Sequence, residues 1–150
     1  MTYKRIVIGC DHVGVEFLQG LSDSLPENIR VVSRVIPGDG TKVHYPHIAF
    51  RLTQHILDRS CEYGLLVCGT GIGMSIAANK VAGIRAACCS DRYSAKMSRL
   101  HNDANVLCLG ARVIGLENAA DILKEWFSTE YEGGRHQHRI NLIKDYEESR

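Results

Sequence analysis

The stretch Tyr63–Lys80, which reads YGLLVCGTGIGMSIAANK, decides the fold class of this 150-residue chain. Its apolar run Leu65–Val67 predicts a buried strand, the glycines within Gly69–Gly73 predict a tight turn, and the following residues suit the start of a helix. Such a turn directs backbone N–H groups at one point, where the helix dipole also favours negative charge. Because Cys68 directly precedes the turn, we expect an anion to bind or form beside a cysteine thiol.

Length and composition set the class of protein. The chain suits a single domain, residues 1–150, and its hydrophobic content of 45% is ordinary for a globular protein. A net charge of +1 gives no general attraction to nucleic acid or to a membrane surface. The first predicted strand begins too early to follow a signal peptide, and the six cysteines form no C-x-x-C pair. We therefore expect reduced thiols and a cytoplasmic protein without nucleic-acid or membrane partners.

Five apolar strands alternate with helical patterns along the chain. The predicted strands are Arg5–Cys10, Arg30–Ile36, Tyr63–Cys68, Gly83–Cys89 and Asn105–Leu109. The first three predicted helices are Val15–Leu25, one that follows Tyr45-Pro46, and Ser75–Val81. The last three are one with Ser90 as N-cap that carries Tyr93, Met97 and Leu100, then Leu116–Phe127, and Arg135–Glu148 with Leu142, Ile143 and Tyr146 on one side. This alternation predicts an α/β fold, a three-layer α/β/α sandwich around a five-stranded parallel, Rossmann-like sheet.

Ligands of open parallel sheets bind beyond the carboxyl ends of the strands. Five chemically active residues follow the predicted strands at that edge: Asp11, His12, Cys68, Thr70 and Arg112. We therefore expect these side chains to lie together on one edge of the sheet.

Cys68 is the candidate base or nucleophile. Most cysteines in apolar runs are buried structural thiols, but a position before a glycine turn and a helix start lowers a thiol pKa from about 8.5 toward neutrality. A thiolate acts as a nucleophile or a general base, and the N–H groups of Gly69–Gly73 are suited to hold an oxyanion. A base beside an oxyanion hole fits proton abstraction next to a carbonyl, with an enediolate intermediate.

A nucleotide-binding module without catalysis is the alternative use of this turn. The sequence Gly-Thr-Gly-Ile-Gly at 69–73 lacks the full dinucleotide fingerprint, and a plain strand-to-helix turn is the commoner case. Asp91 nevertheless follows the next predicted strand, where a ribose-binding acid would lie. The nucleotide alternative therefore stays open, although it leaves Cys68 and the arginines without a role.

The arginines suggest a phosphate clamp. Arg135 and Arg139 are four residues apart and share one helix face, which is most often a solvated basic face. Together with Arg112 and His12 they are suited to hold a single phosphate. His136 and His138 point to different faces and form a poor metal pair, and the His44/His47 pair is more typical of a loop with solvated histidines than of a metal site. A base, an oxyanion hole and a phosphate clamp fit the isomerisation of a small sugar phosphate.

The chain resembles the ribose-5-phosphate isomerase B family, within the wider group that includes the galactose-6-phosphate isomerase subunits. The matching stretches run from the first strand to the last helix: Gly9–Gly14, Tyr45–His47, Cys68–Lys80, Gly83–Ala86, Ser98-Arg99, His101–Asp103, Asn105–Leu107, Gly110–Val113, Tyr131–Gln137 and Arg139. Together they are far more specific than any one of them.

The resemblance implies interconversion of D-ribose 5-phosphate and D-ribulose 5-phosphate through a cis-enediolate in the pentose phosphate pathway, without metal or cofactor. It makes Cys68 the base, His101 the residue that opens the furanose ring, and Thr70 part of the catalytic loop. The implied substrate contacts are Asp11, Tyr45 and Asn102 on the sugar, Gly69, Gly71, Ile72 and Gly73 at the enediolate, and His12, Arg112, Arg135 and Arg139 at the phosphate. It also implies a homodimer, or a tetramer of such dimers, whose active sites draw Cys68 and His101 from different chains.

His44 departs from the family pattern. The family often carries aspartate before the Tyr-Pro pair, and a histidine there resembles one of the galactose-6-phosphate isomerase subunits. The preferred sugar therefore stays open between a five-carbon phosphate and a four- or six-carbon phosphate. This single chain keeps both the Cys68 loop and the His101/Arg135 half of the site, which the two-subunit isomerase divides between chains.

Overall fold

The computed structural model of the chain describes residues 2–150, and in that part it contains five strands and six helices. The strands are β1 (Lys4–Cys10), β2 (Ile29–Val35), β3 (Tyr63–Cys68), β4 (Ala86–Cys88) and β5 (Val106–Gly110). The helices are α1 (Val15–Ser22), α2 (Tyr45–Leu57), α3 (Ile72–Ala78), α4 (Arg92–Leu100), α5 (Leu116–Ser128) and α6 (Arg135–Glu148). None of these helices is both long and apolar enough to cross a membrane.

The strands form one parallel sheet in the order β2-β1-β3-β5-β4, which confirms the predicted fold class. The register pairs Cys10 with Val67 and Cys68 with Gly110, so β1, β3 and β5 end at nearly the same level. The loops that follow these three strands therefore meet at one edge.

Both faces of the sheet are covered, as the continuous apolar strands predict. On one face, alternate strand residues such as Ile8, Leu65 and Leu107 pack under Leu123 and Trp126 of α5. The intervening residues point to the opposite face, where α2 and α3 cover them; this second cluster includes Val7, Leu66, Cys68, Cys108, Leu52 and Met74. The side chain of Cys68 therefore belongs to the α2/α3 side of the sheet.

Helix α3 begins at Ile72, three residues before the predicted start. Gly71 is its N-cap and has a φ of +79°, a left-handed conformation that glycine adopts without steric cost. A Cβ atom at Gly71 would also lie 3.0 Å from the Leu109 carbonyl carbon and from Cys88 Sγ. The glycine turn is therefore shorter and more closely packed than the apolar periodicity of the sequence predicts.

The prediction of Ser90 as the N-cap of α4 was wrong. The cap is Asp91, whose extended backbone lets Oδ1 accept the Ser94 N–H at 2.7 Å. Tyr93 of this helix is 73% exposed and Met97 and Leu100 are partly buried, whereas Ala95 and Arg99 are buried. Helix α4 therefore buries Arg99, whose guanidinium has partners inside the protein. Apolar periodicity alone predicts that an arginine lies on the solvent side of a helix.

Helix α6 has the predicted bounds but is thinly packed on its own chain. His136 and Ile140 are its buried residues. Leu142, Ile143 and Tyr146, the predicted apolar side, are 50–65% exposed. This helix therefore presents an uncovered apolar face in the single chain.

Candidate active site

One half of the candidate site lies where the loops after β1, β3 and β5 join. We call it the carboxyl edge, and it comprises Asp11, His12, Cys68–Gly73 and Arg112. The Asp11 N–H donates to the Val67 carbonyl at 3.2 Å, and the Arg112 N–H donates to the Gly69 carbonyl at 3.0 Å. Asp11 Oδ1 also accepts the N–H groups of Val13 and Gly14, which holds the carboxylate in place. The structure thus gathers these loops on one edge, as the strand ends predict.

Cys68 ends β3 with its thiol directed at the glycine turn. Its side chain is buried, and Sγ accepts the Gly71 N–H at 3.2 Å. An N–H donor at the start of a helix stabilises negative charge on the sulfur more than it stabilises the neutral thiol. The sulfur of Cys68 is therefore held against the backbone of the turn at the start of α3.

The other cysteines are poorer candidates for a base. Burial raises the pKa of Cys10 to about 12, with the charge of Asp11 adding to the effect, and it raises the pKa of Cys61 and Cys89 to about 11. Burial also raises the pKa of Cys88 and Cys108. These five thiols therefore stay protonated near neutral pH.

Tyr45 packs against the glycine turn from the start of α2. A Cβ atom at Gly73 would lie 2.7 Å from the Tyr45 ring, so the ring occupies the space that a side chain would need. Thr70 Oγ1 accepts the Ile72 N–H at 3.2 Å, and the Thr70 backbone lies against Gly110. The turn is therefore held between α2 and β5.

His12 and Arg112 share an open cavity. The cavity has a volume of about 570 Å³ and is lined by His12, Val13, Glu16, Phe17, Ala111, Arg112 and Leu116. His12 Nδ1 accepts the Val43 N–H at 3.3 Å, which ties the ring to the loop before α2. Two of the four predicted phosphate contacts thus belong to the carboxyl edge.

The second half of the candidate site lies at the opposite end of the strands. We call it the amino edge, and it comprises His101, Asn102, Glu132, Arg135, His136 and Arg139. His101 and Asn102 follow α4 in the turn that leads to Asn105, whose carbonyl accepts the Gly64 N–H at the start of β3. At about 3.3 Å per residue, the six residues of β3 separate the two edges by about 20 Å.

A one-chain phosphate clamp of Arg112 with Arg135 and Arg139 is therefore not present. Arg112 lies at the carboxyl edge, whereas the other two arginines carry charges that act on His136, beside His101. The distance of about 20 Å is too long for one small sugar phosphate to bridge. A site that uses all the predicted residues needs two copies of the chain.

Two arginines hold the turn that carries His101 and Asn102. The Arg99 guanidinium is buried, and its Nη1 donates to Asp103 Oδ1 at 2.9 Å and to the Ala104 carbonyl at 2.6 Å. Arg85 Nε donates to the Asn102 carbonyl at 2.9 Å. The sequence pattern predicts no role for these arginines, because nothing in it distinguishes a buried arginine from a solvated one.

His101 stacks on His136 at the amino edge. The ring centroids are 4.2 Å apart and the planes differ by 13°. Glu132 reaches the same point, with Oε2 at 3.5 Å from His136 Nε2. Burial, and then the charges of His101 and Arg135, lower the pKa of His136. His136 is therefore mainly neutral at neutral pH.

The position of Asp91 weighs against the nucleotide alternative. Its Oδ1 accepts the Ser94 N–H, and its Oδ2 accepts the Ser94 hydroxyl at 2.8 Å. These hydrogen bonds also lower the pKa of the carboxyl group. The carboxylate thus serves as a helix cap, and the glycine turn loses its candidate ribose-binding acid.

Known proteins resemble this chain over nearly its whole length. A family model described as Ribose/Galactose Isomerase matches residues 6–143. Ribose-5-phosphate isomerase B of Escherichia coli is 46% identical over 149 residues, which cover 98% of this chain and 99% of the relative. D-erythrulose-4-phosphate isomerase of Pectobacterium atrosepticum is 42% identical, with 95% of this chain and 94% of the relative covered.

Solved structures agree with the sequence relatives. Type B ribose 5-phosphate isomerase of Trypanosoma cruzi superposes with a TM-score of 0.93 at 40% identity, covering 98% of this chain and 100% of that one. Ribose-5-phosphate isomerase B of Mycoplasma genitalium, with bound ribulose-5-phosphate, superposes with a TM-score of 0.89 at 34% identity over the full length of both chains. The chain therefore belongs to the Ribose/Galactose Isomerase family of aldose–ketose isomerases.

Proposed function

We propose that the chain interconverts D-ribose 5-phosphate and D-ribulose 5-phosphate through a cis-enediolate, as a cytoplasmic enzyme of the pentose phosphate pathway. The observation that carries the proposal is the pairing of Cys68 Sγ with the Gly71 N–H at the start of α3. Cys68 as the base and the backbone N–H groups of the glycine turn would then lie beside the same two carbons of the sugar, C1 and C2. The relatives named as ribose-5-phosphate isomerases support the choice of substrate. The thiol state of all six cysteines fits a reducing compartment.

In this mechanism Cys68 moves one proton between two neighbouring carbons. The thiolate removes the proton from C2 of the open-chain aldose, and the electron pair passes to the carbonyl oxygen to form the enediolate. Backbone N–H groups of the turn, with Thr70 lining it, stabilise the developing oxyanion. The proton then returns from Cys68 to C1 while the hydroxyl proton on O2 passes to O1, which yields the ketose without any redox partner.

The remaining residues bind the far end and prepare the substrate. We assign sugar hydroxyl contacts to Asp11, Tyr45 and Asn102, and ring opening of the furanose to His101. The phosphate contacts are His12, Arg112, Arg135 and Arg139. This division leaves the glycine turn to the reacting end, with the phosphate at the other end of the substrate.

The separation of the two edges supports a homodimer with shared sites. Because about 20 Å separates them in one chain, the carboxyl edge of one protomer would face the amino edge of its partner. The exposed apolar residues of α6 and the exposed Ile72 and Ile76 of α3 supply surface for such a contact. A two-fold axis would then create two equivalent sites.

A four-carbon substrate is the second candidate, because some relatives are D-erythrulose-4-phosphate isomerases. Purified enzyme assayed with ribose 5-phosphate, erythrose 4-phosphate and a hexose 6-phosphate separates the candidates. We expect the highest kcat/KM on ribose 5-phosphate. Turnover of the tetrose with ribose 5-phosphate inert would replace the leading substrate. Tight nucleotide binding without any isomerase activity would support the non-catalytic alternative.

His44 is the position to test for sugar preference. It is exposed and directly precedes Tyr45, whose ring lies on the glycine turn. We expect His44→Asp to change the ratio of kcat/KM values between the pentose and tetrose phosphates. His47→Asp is the matched control, because its ring lies 6.4 Å from that of His44 in the same helical turn. Equal ratios in the two variants would remove His44 from specificity.

A further inference from the structure

Three side chains of types that ligate metals converge at the amino edge. The proposed reaction uses only one of them, His101, and gives the three no common role. One ligand atom from each of His101, Glu132 and His136 lies within 4.8 Å of the other two. The three residues come from the end of α4, the loop before α6 and the first turn of α6. The Glu132 N–H donates to the Leu100 carbonyl at 3.0 Å, so the backbone itself holds Glu132 beside His101.

The ring of His136 lacks a partner for one nitrogen. The residue is 4% exposed, and Nε2 is buried without a hydrogen bond among the groups of residues 2–150. A buried polar atom without a partner costs free energy, so such atoms are rare in folded proteins. This nitrogen points to the cluster, where Glu132 Oε2 is its nearest acid neighbour at 3.5 Å.

The donor set matches one metal class. Two imidazoles and one carboxylate are ligands that Zn²⁺ and similar borderline cations accept, with a fourth position left open. The oxygen-rich environment that Mg²⁺ and Ca²⁺ prefer is absent from this cluster.

Two features limit the affinity of such a site. The stacked rings have parallel planes, so His101 must turn about its side-chain bonds before both lone pairs meet one ion. His101 is partly exposed, which leaves it room to turn. Arg135 and Arg139 add positive charge nearby, so we expect weaker and reversible binding than in structural zinc sites.

We propose that His101, Glu132 and His136 form a reversible binding site for Zn²⁺ or a similar borderline divalent cation, and that the bound ion inhibits the enzyme. The proposed binding rests on the convergence of the three donors and on the unpartnered, buried Nε2 of His136. Inhibition rests on the proposed function, because the ion would occupy the imidazole that opens the sugar ring. The ion is therefore an inhibitor at this site and supplies nothing to the isomerisation.

Titration of the reduced, full-length protein with Co²⁺ tests the binding by visible absorption. We expect a d–d spectrum of nitrogen and oxygen ligands without a thiolate charge-transfer band, and displacement of the signal by Zn²⁺. His136→Gln and Glu132→Gln should each weaken binding roughly tenfold or more. His138→Gln, an exposed histidine on the same helix, should leave the affinity unchanged. Circular dichroism checks that the variants fold, and the exposed Glu132 provides the variant with the smaller folding risk.

The outcomes separate metal binding from catalysis. Absence of the cobalt spectrum, dominance of a thiolate band, or unchanged affinity in Glu132→Gln would each overturn the proposed site. Zn²⁺ should inhibit ribose 5-phosphate turnover, with reversal by a chelator and a roughly tenfold higher inhibitory concentration in Glu132→Gln. Equal inhibition of wild type and Glu132→Gln would overturn the inhibitory role. Binding by a protein inactive on every sugar phosphate would support the metal site and reject the proposed function.

Discussion

The two edges of the sheet are built in different ways. At the carboxyl edge, Cys68 and its hydrogen-bond donor Gly71 are three residues apart, and backbone turns set their geometry. At the amino edge, His101 and His136 come from two helices, and contacts between distant side chains bring them together. The turn at the carboxyl edge can therefore be recognised in the amino-acid sequence, whereas the amino edge forms only when the chain folds.

The comparison also separates the chemical tasks. The carboxyl edge contains a thiol, N–H donors and no arginine other than Arg112 among its defining residues, whereas the amino edge contains two histidines and two arginines. In the proposed reaction, the first edge moves the proton and contributes His12 and Arg112 to the phosphate site, whereas the second edge opens the ring and contributes Arg135 and Arg139. Damage to the two edges should therefore produce different kinetic defects.

The largest effect is expected at the carboxyl edge, for Cys68→Ala. Loss of a general base should lower kcat by about 1,000-fold while KM changes little, because the thiolate acts in the transition state. Steady-state kinetics on ribose 5-phosphate measure both values. Cys88→Ala is the control, because this neighbouring thiol has its pKa raised by burial. A kcat near the wild-type value in Cys68→Ala would remove this residue as the base.

Mixing two inactive variants tests whether one site uses both edges. After subunit exchange, equal amounts of Cys68→Ala and His101→Ala should regain about a quarter of wild-type activity, since half of the dimers would carry one intact site. The measurement is activity against time after mixing, with each variant alone as control. If the mixture stayed as inactive as its components while native mass spectrometry detected mixed dimers, the shared site would be disproved.

His101→Ala should affect substrates unequally. The variant should lose roughly tenfold or more in kcat/KM on ribose 5-phosphate, which closes into a furanose ring. The loss should be smaller on erythrose 4-phosphate, whose phosphate blocks the ring oxygen, provided that the wild type turns it over. Parallel assays of wild type and variant on both sugars give the ratio. Equal losses would speak against ring opening by this residue.

Arg99→Met should destabilise the amino edge more than it perturbs the carboxyl edge. It leaves Asp103 and the Ala104 carbonyl without a buried cation, and we expect a loss of about 3 kcal/mol in the free energy of unfolding. Denaturant unfolding measures this loss. Arg92→Met is the matched control, because the Arg92 side chain is 62% exposed in its ion pair with Glu125 and should contribute little. Similar stability of the two variants would contradict the role of Arg99 in holding the turn.

The smallest effect is expected for Asp91→Ala. Loss of the helix cap should lower Tm by about 2–4 °C and leave kcat/KM unchanged, since the carboxylate binds Ser94. Thermal unfolding and the isomerase assay give the two values. Asp91→Asn, which keeps an oxygen acceptor, should recover most of the Tm. A selective loss of nucleotide binding with unchanged Tm would instead revive the nucleotide alternative.

The sequence predicted the parts of the fold that depend on short-range pattern. The strand Tyr63–Cys68 and the helix Arg135–Glu148 have the predicted bounds, because a buried apolar run and a glycine break leave few alternatives. The start of α4 was misplaced, since Ser90 and Asp91 are both good caps and the backbone conformation selects one of them. The burial of Arg99 was not predicted, because besides the nearby Asp103 its guanidinium contacts the Tyr63 hydroxyl and the Trp126 ring, which lie far along the chain.

By itself the sequence determined the α/β order, the glycine turn and the cysteine beside it, because strand period, turn residues and helix starts act over a few residues. Only the tertiary structure decided that the candidate residues fall on two opposite edges, since their separation depends on strand length and on the direction in which every strand runs. It also decided that His101, Glu132 and His136 meet, because two positive-φ glycines, Gly133 and Gly134, turn the chain back beside the end of α4.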